Sequence, residues 1–248
     1  MTATPFHSWL LTPVSKPALL EQAAKSGAGV IVLDLVELVA DEDKAAVRAN
    51  VRAAIDKVRA GNAEVFVQID AESLDNDLNA CVWPGLNGIV ISRVESPEQI
   101  AHAAAALSRL ENERSVAPST LKIVAAVETA RGNHAAYDIA RASPRVRALT
   151  LCRADLVMDL RAEPSNEIHL MPYLMQRLII IARAAGVTPI GAWWRAPDRG
   201  LLATPENTYE AAQRGRAIGF KGAMCLRANQ VEPLNRAFAR GASPRLNG

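Results

Sequence analysis

Two carboxylates, each standing where an apolar run ends, mark the part of this sequence best equipped for chemistry. In the stretch Leu121–Gly132, the run from Ile123 to Val127 is uninterrupted and stops on Glu128. Such a run fits a strand buried on both faces, as in a parallel sheet. One strand–helix unit later, Val146–Cys152 reads as a second strand, and it runs out into Arg153, Ala154 and Asp155. A charged group at the carboxyl end of a buried strand sits where α/β folds place their ligands. Two hard carboxylates suit Mg²⁺ (or Mn²⁺), which keeps water or substrate oxygens in its remaining positions. The competing reading is that each carboxylate caps the following helix or pairs with an arginine. Their placement on neighbouring strand ends favours the metal.

The elements needed to hold such a pair recur along the chain. Ser8–Thr12, Gly29–Leu35, Glu64–Asp70, Gly88–Ser92, Val187–Trp194 and Gly222–Leu226 complete a set of strands. Amphipathic helices are expected at Lys16–Ser26, Asp43–Arg59, Ser73–Ala80, from Ser96-Pro97 onward, Asn133–Ala142, Glu167–Ala185, Pro205–Ile218 and Gln230–Arg240. Ser-Pro starts and glycine stops punctuate several of them. Eight strands alternating with eight helices in 248 residues predict a single-domain (β/α)8 TIM barrel over the whole chain. A doubly wound open sheet is the alternative, but neither GxGxxG nor GxxxxGK[ST] is present. A barrel places Asp34, Glu37, Gln68, Asp70, Arg93, Glu128, Asp155, Arg195 and Arg227 on its active face.

Composition narrows the function classes. A formal net charge of +2 gives no reason to expect nucleic acid as a partner. No apolar run approaches the roughly 20 residues of a membrane helix, and no signal peptide is visible at the start. Three scattered cysteines without a CxxC pair fit reduced thiols. A cytoplasmic protein is expected. The four histidines show no metal-ligand spacing. Trp193 and Trp194, at the end of the seventh strand, are expected to pack, with stacking on a substrate as the alternative.

Several short motifs, in order, resemble the HpcH/HpaI aldolase and citrate lyase beta-subunit family over nearly the whole chain. They are Asp34-Leu35-Val36-Glu37 followed by Lys44 and Arg48, then Val67-Gln68-Ile69-Asp70, Ser92-Arg93-Val94-Glu95-Ser96 and Val127-Glu128-Thr129. Cys152-Arg153-Ala154-Asp155-Leu156 and Gly222 through Gln230 complete the series. The resemblance implies a Mg²⁺-dependent carbon–carbon lyase, often trimeric, with Glu128 and Asp155 as metal ligands. Its substrate would be a small carboxylate, either a 2-oxo acid or the acid end of a 3-hydroxyacyl-CoA, cleaved through an enolate. Gln68, Arg93 and Arg153 would then stand at the catalytic positions. Asp34, Glu37, Asp70, Thr129 and Arg227 would contact substrate. A homotrimer is expected, with the apolar helix around Leu178–Ala182 as core or interface.

The departures bear on activity. Similar enzymes carry an arginine where this chain has Gln68, and glutamine brings no charge to a developing oxyanion. One carboxylate of the acidic pair after the second strand is Val36 here, and a His-Pro after the eighth strand is Arg227-Ala228. Arg93, Arg153 or Arg227 would have to supply the missing cation. The C-terminal lid of the longer, CoA-ester-cleaving members is expected to be absent. The alternative function is a catalytically weakened barrel that binds a carboxylate metabolite or serves as an interaction or regulatory subunit.

Overall fold

The structure, a computed structural model, describes residues 6–151, 167–191 and 204–239. Eight parallel strands close into a barrel in chain order: β1 (Ser8–Pro13), β2 (Val30–Asp34), β3 (Glu64–Asp70), β4 (Gly88–Ser92), β5 (Lys122–Ala126), β6 (Val146–Thr150), β7 (Thr188–Gly191) and β8 (Gly222–Cys225). The described helices are α1 (Pro17–Lys25), α2 (Lys44–Val58), α3 (Leu74–Cys81), α4 (Pro97–Glu113), α5 (Ala130–His134), α6 (Ala136–Arg141), α7 (Glu167–Ala185), α8 (Pro205–Ile218) and α9 (Val231–Phe238). The expected (β/α)8 architecture is therefore the one observed.

Strand side chains alternate with period two, and the apolar runs divide accordingly. Ile31, Leu33, Val67, Ile69, Ile89 and Ile91 face the helices in one large core. Trp9, Leu11, Val32, Phe66, Val90 and Val124 face inward in a second, smaller one. Trp9 and Phe66 meet edge to face at 5.1 Å in that interior. Gly88 makes room for this packing, since a Cβ there would lie 2.4 Å from the Phe66 ring. Followed toward the carboxyl ends of the strands, the inward register turns polar. Asp34, Gln68, Ser92 and Thr150 succeed the apolar residues there, all buried.

Helix ends follow local chemistry. The helix announced by Ser96-Pro97 has a capping box, with Gln99 Oε1 accepting from Glu95 N and Ser96 N at 2.8 and 3.2 Å. The helix expected at Asn133–Ala142 differs: it begins at Ala130 and is broken at Ala135. Thr129 Oγ1 accepts from Gly132 N at 3.0 Å and so starts it early. Arg177 of α7 donates to Asn133 O at 3.2 Å and to Asn133 Oδ1 at 2.9 Å, which satisfies a carbonyl at the break. In α7 the apolar run Leu178–Ala182 is buried by the chain itself, apart from Ile180, which is 67% exposed. No helix among the described residues is long and apolar enough to cross a membrane.

Candidate functional site

The loop after β2 is shaped by Asp34. Its Oδ1 accepts from Val36 N and Glu37 N at 2.9 and 3.1 Å, and its Oδ2 accepts from Leu38 N at 2.7 Å. With both oxygens bound to backbone and no exposure, Asp34 builds the loop and presents Glu37. Glu37 Oε1 accepts from Gln68 Nε2 at 2.7 Å, and the same amide nitrogen donates to Ser92 Oγ at 2.8 Å. Gln68 is thus fastened between the β2 loop and β4.

Asp70 ends β3 in a network of its own. Its Oδ1 caps the following 3-10 turn through Glu72 N at 3.0 Å, and its Oδ2 accepts from the Arg93 guanidinium. The Arg93 side chain also lies 3.7 Å from Glu72. Burial pulls the Arg93 pKa down, but the charges of Asp70, Glu72 and Glu128 outweigh it and hold the value above the ordinary one. Arg48 is committed to Asp77, with Nε 2.6 Å from Oδ1. Lys44 pairs with Asp41 at 2.7 Å. That hydrogen bond, with the charges of Asp41, Asp70 and Asp77, raises the Lys44 pKa against the opposing effect of burial.

Glu128 follows β5 and is 3% exposed. Its Oε2 accepts from the backbone N–H of Arg93 at 3.1 Å. That donor is aimed by an unusual backbone, since Arg93 has φ of 55° in the left-handed region. The next residue is held too: Val94 N donates to Ala126 O at 3.0 Å. Gly132 lets α5 close over the same turn, because a Cβ there would fall 2.2 Å from Val94 O. The β4 loop is therefore strung along β5 and fixes the Glu128 carboxylate.

Glu37, Asp70, Ser92, Arg93 and Glu128 line one cleft of about 380 Å³ together with Val36, Asp41, Lys44 and Glu72. Ser92, Asp41 and Glu72 were not singled out in the sequence. A serine at the last position of β4 was the available signal, whereas Asp41 and Glu72 look like ordinary surface acids. Thr129 serves α5 as its cap. Arg227 is apart: it lines a separate cleft of about 500 Å³ with Leu10, Pro13, Leu19 and Asn229. Arg153, Asp155, Trp193, Trp194 and Arg195 lie outside the described residues, as do Cys152 and the side chain of His169. Of the remaining histidines, His102 is exposed and bonded to Asp75 at 2.9 Å. His7 sits before β1, with its pKa lowered by burial. The thiols of Cys81 and Cys225 are buried, and burial pushes that of Cys225 up to about 12.

The lining suits a divalent cation. Five carboxylates stand against two cations there, and Glu128 offers hard oxygen. Among the described residues no three acids, histidines or cysteines form a complete ligand set. Mg²⁺ does not require one, because it binds through one or two carboxylates and keeps water or substrate oxygens.

Comparison with known proteins agrees with this architecture. The citrate lyase subunit beta of Leuconostoc mesenteroides subsp. cremoris is 27% identical over 236 residues, covering 94% of this chain and 76% of that protein. The L-malyl-CoA/beta-methylmalyl-CoA lyase of Cereibacter sphaeroides is 27% identical over 262 residues, covering 95% and 80%. Among solved structures, protein CitE from Mycobacterium tuberculosis in complex with magnesium and acetoacetate superposes with a TM-score of 0.74. It is 22% identical, over 96% of this chain and 92% of that one, and so shares the fold. The sequence model of the HpcH/HpaI aldolase/citrate lyase family matches residues 7–228, and the chain belongs to that family.

Proposed function

We propose that this protein is a divalent-metal-dependent carbon–carbon lyase of small carboxylates, either 2-oxo acids or 3-hydroxyacyl-CoA esters. Membership of a family whose similar members include citrate lyase beta subunits and malyl-CoA lyases supports the reaction class. The observation that carries the site is Glu128: a buried carboxylate at the carboxyl end of β5, held by Arg93 N–H and lining an acidic cleft. Glu128 would hold Mg²⁺ together with Asp155. A similar fold binds magnesium and acetoacetate, which favours the same ligand class here.

When bound, the cation supplies a Lewis acid beside the oxygen on which charge develops as the carbon–carbon bond breaks. The chain's own residues divide the remaining work. Arg93 N–H orients Glu128. The Arg93 side chain, 45% exposed at the cleft and tied to Asp70, brings positive charge to substrate carboxylate oxygens. Lys44 adds a second cation, its protonated form stabilised by the hydrogen bond to Asp41. Ser92 lines the cleft and its hydroxyl oxygen accepts from Gln68.

Gln68 sets the rate in this reading. Its amide hydrogens are engaged with Glu37 and Ser92, so Gln68 contributes neither a positive charge nor an uncommitted donor to an oxyanion. Loss of one preorganised oxyanion donor costs roughly 10²–10³-fold in rate. Slow turnover is expected, and this same engagement favours the second reading, a barrel that binds a carboxylate metabolite with little chemistry. A coupled assay of pyruvate or acetyl-CoA release separates the two, with oxaloacetate, malyl-CoA or citramalyl-CoA as substrate. Slow cleavage that rises with Gln68→Arg supports a lyase. Metal-dependent ligand binding without turnover in either protein supports the binding role. Fast wild-type cleavage that Gln68→Arg leaves unchanged or lowers would contradict the weakened site.

A further inference from the structure

Gln68 is 2% exposed, and among the described residues its carbonyl oxygen Oε1 has no hydrogen-bond partner. The orientation of the amide is fixed by chemistry. The ionised carboxylate of Glu37 can only accept, so the atom 2.7 Å from it must be the NH2 group. The lone pairs of Oε1 are left over. A buried acceptor without a donor is rare in native structures. Here it occurs beside two groups that line the candidate cleft, Glu37 and Ser92. Thr150 Oγ1, at another inward position on the carboxyl end of the barrel, is also buried without a partner among the described residues.

We infer that Gln68 is a specificity-determining residue: its Oε1 accepts a hydrogen bond from the ligand, so the site selects ligands carrying a hydroxyl there over ligands carrying an oxo or enolate oxygen. This inference rests on the proposed function for the ligand class. It reverses the polarity that an arginine would give the same position. A guanidinium donates and attracts an oxyanion, whereas a fixed carbonyl oxygen repels one and welcomes an O–H. Glu37 and Ser92 make the choice rigid, because turning the amide to offer a donor would set its oxygen against a carboxylate.

The test compares ligands that differ by one such group, 3-hydroxybutyrate against acetoacetate and lactate against pyruvate, by calorimetry with Mg²⁺ present. An acceptor left without its donor is expected to favour the hydroxy member about 5- to 150-fold in Kd in at least one pair. Gln68→Met, similar in volume and without the amide, should bring that ratio close to one, and Gln68→Arg should invert it. The wild-type comparison stands even if neither variant folds. An oxo acid bound as tightly as its hydroxy partner in both pairs, or a hydroxy preference that Gln68→Met leaves intact, would overturn the inference while leaving the functional reading in place. The first outcome would leave Oε1 to an ordered water. Binding of no member of either pair would overturn the functional reading and this inference with it.

Discussion

Replacing Glu111 by glutamine should destabilise the barrel severely, although the residue lies in α4 and outside the cleft. Glu111 is 1% exposed in the last turn of α4, and its partner Arg145 is 9% exposed. Arg145 Nη1 and Nη2 reach Glu111 Oε1 and Oε2 at 2.9 and 2.6 Å, a bidentate pair. The same oxygens accept from Leu121 N at 3.0 Å and Ser119 N at 2.9 Å. They thereby tie down a turn in which Ser115 and Ser119 have φ of 56° and 61°. An amide cannot accept all four bonds, and its NH2 must face a donor. Leaving a buried guanidinium without its charge partner costs about 3–5 kcal/mol. At roughly 2–4 °C per kcal/mol for a chain of this size, Tm should fall by about 6–20 °C in a calorimetric or circular-dichroism melt. The pH dependence gives a second reading. Burial alone would raise the Glu111 pKa, but Arg145 and the two backbone donors outweigh it and hold it below 4.5. The carboxylate's contribution is therefore fully present above the unfolded value, near 4.5, and is lost as pH falls through the lower folded value. The gap between wild type and Glu111→Gln should be constant around neutral pH and close in acid. A change of less than one degree at pH 7 would refute this reasoning, as would a gap that persists unchanged in acid.

Other expectations follow from the same geometry. Arg93→Ala keeps the left-handed backbone strain of about 1–2 kcal/mol, while Arg93→Gly relieves it at an entropic cost of about 0.5–1 kcal/mol. Both lose the contact with Asp70, so the glycine variant should melt at or up to about 6 °C above the alanine variant. A markedly lower melting point for glycine would mean that the turn carries no strain. Light scattering at micromolar concentration should give a multiple of 26.6 kDa, with a trimer expected from the family resemblance. The exposed Ile180 and Tyr173 on α7 would be available to such an interface, and the mass of one chain would rule it out.

Much of the fold was legible because buried parallel strands are apolar without interruption and the helices are punctuated. Glu64–Asp70, Gly88–Ser92, Glu167–Ala185 and Pro205–Ile218 are observed with the expected limits. The break at Ala135 was not legible, because the group that satisfies it, Arg177, lies on a helix distant in sequence. Asp34 illustrates a deeper limit. A carboxylate at a strand end looks the same whether it meets a ligand or turns back onto the N–H groups of its own loop, and here it does the latter. Glu111 follows Leu107 by four residues on the buried stripe of α4, and that placement is itself the sequence sign of a paired acid. The difference between glutamine and arginine at position 68 was visible as a lost charge. That the amide would turn its NH2 toward Glu37, and its oxygen away, depends on where the β2 loop returns.

The central claim is that Glu128, with Asp155, holds a divalent cation in the acidic cleft at the carboxyl end of the barrel. Titration calorimetry with Mg²⁺ or Mn²⁺, with and without an oxo acid, tests it most directly. A single site that Glu128→Gln weakens and that the double change Glu128→Gln, Asp155→Asn abolishes is the expected result; no binding to the wild-type protein at millimolar metal, even with oxo acid present, would contradict it.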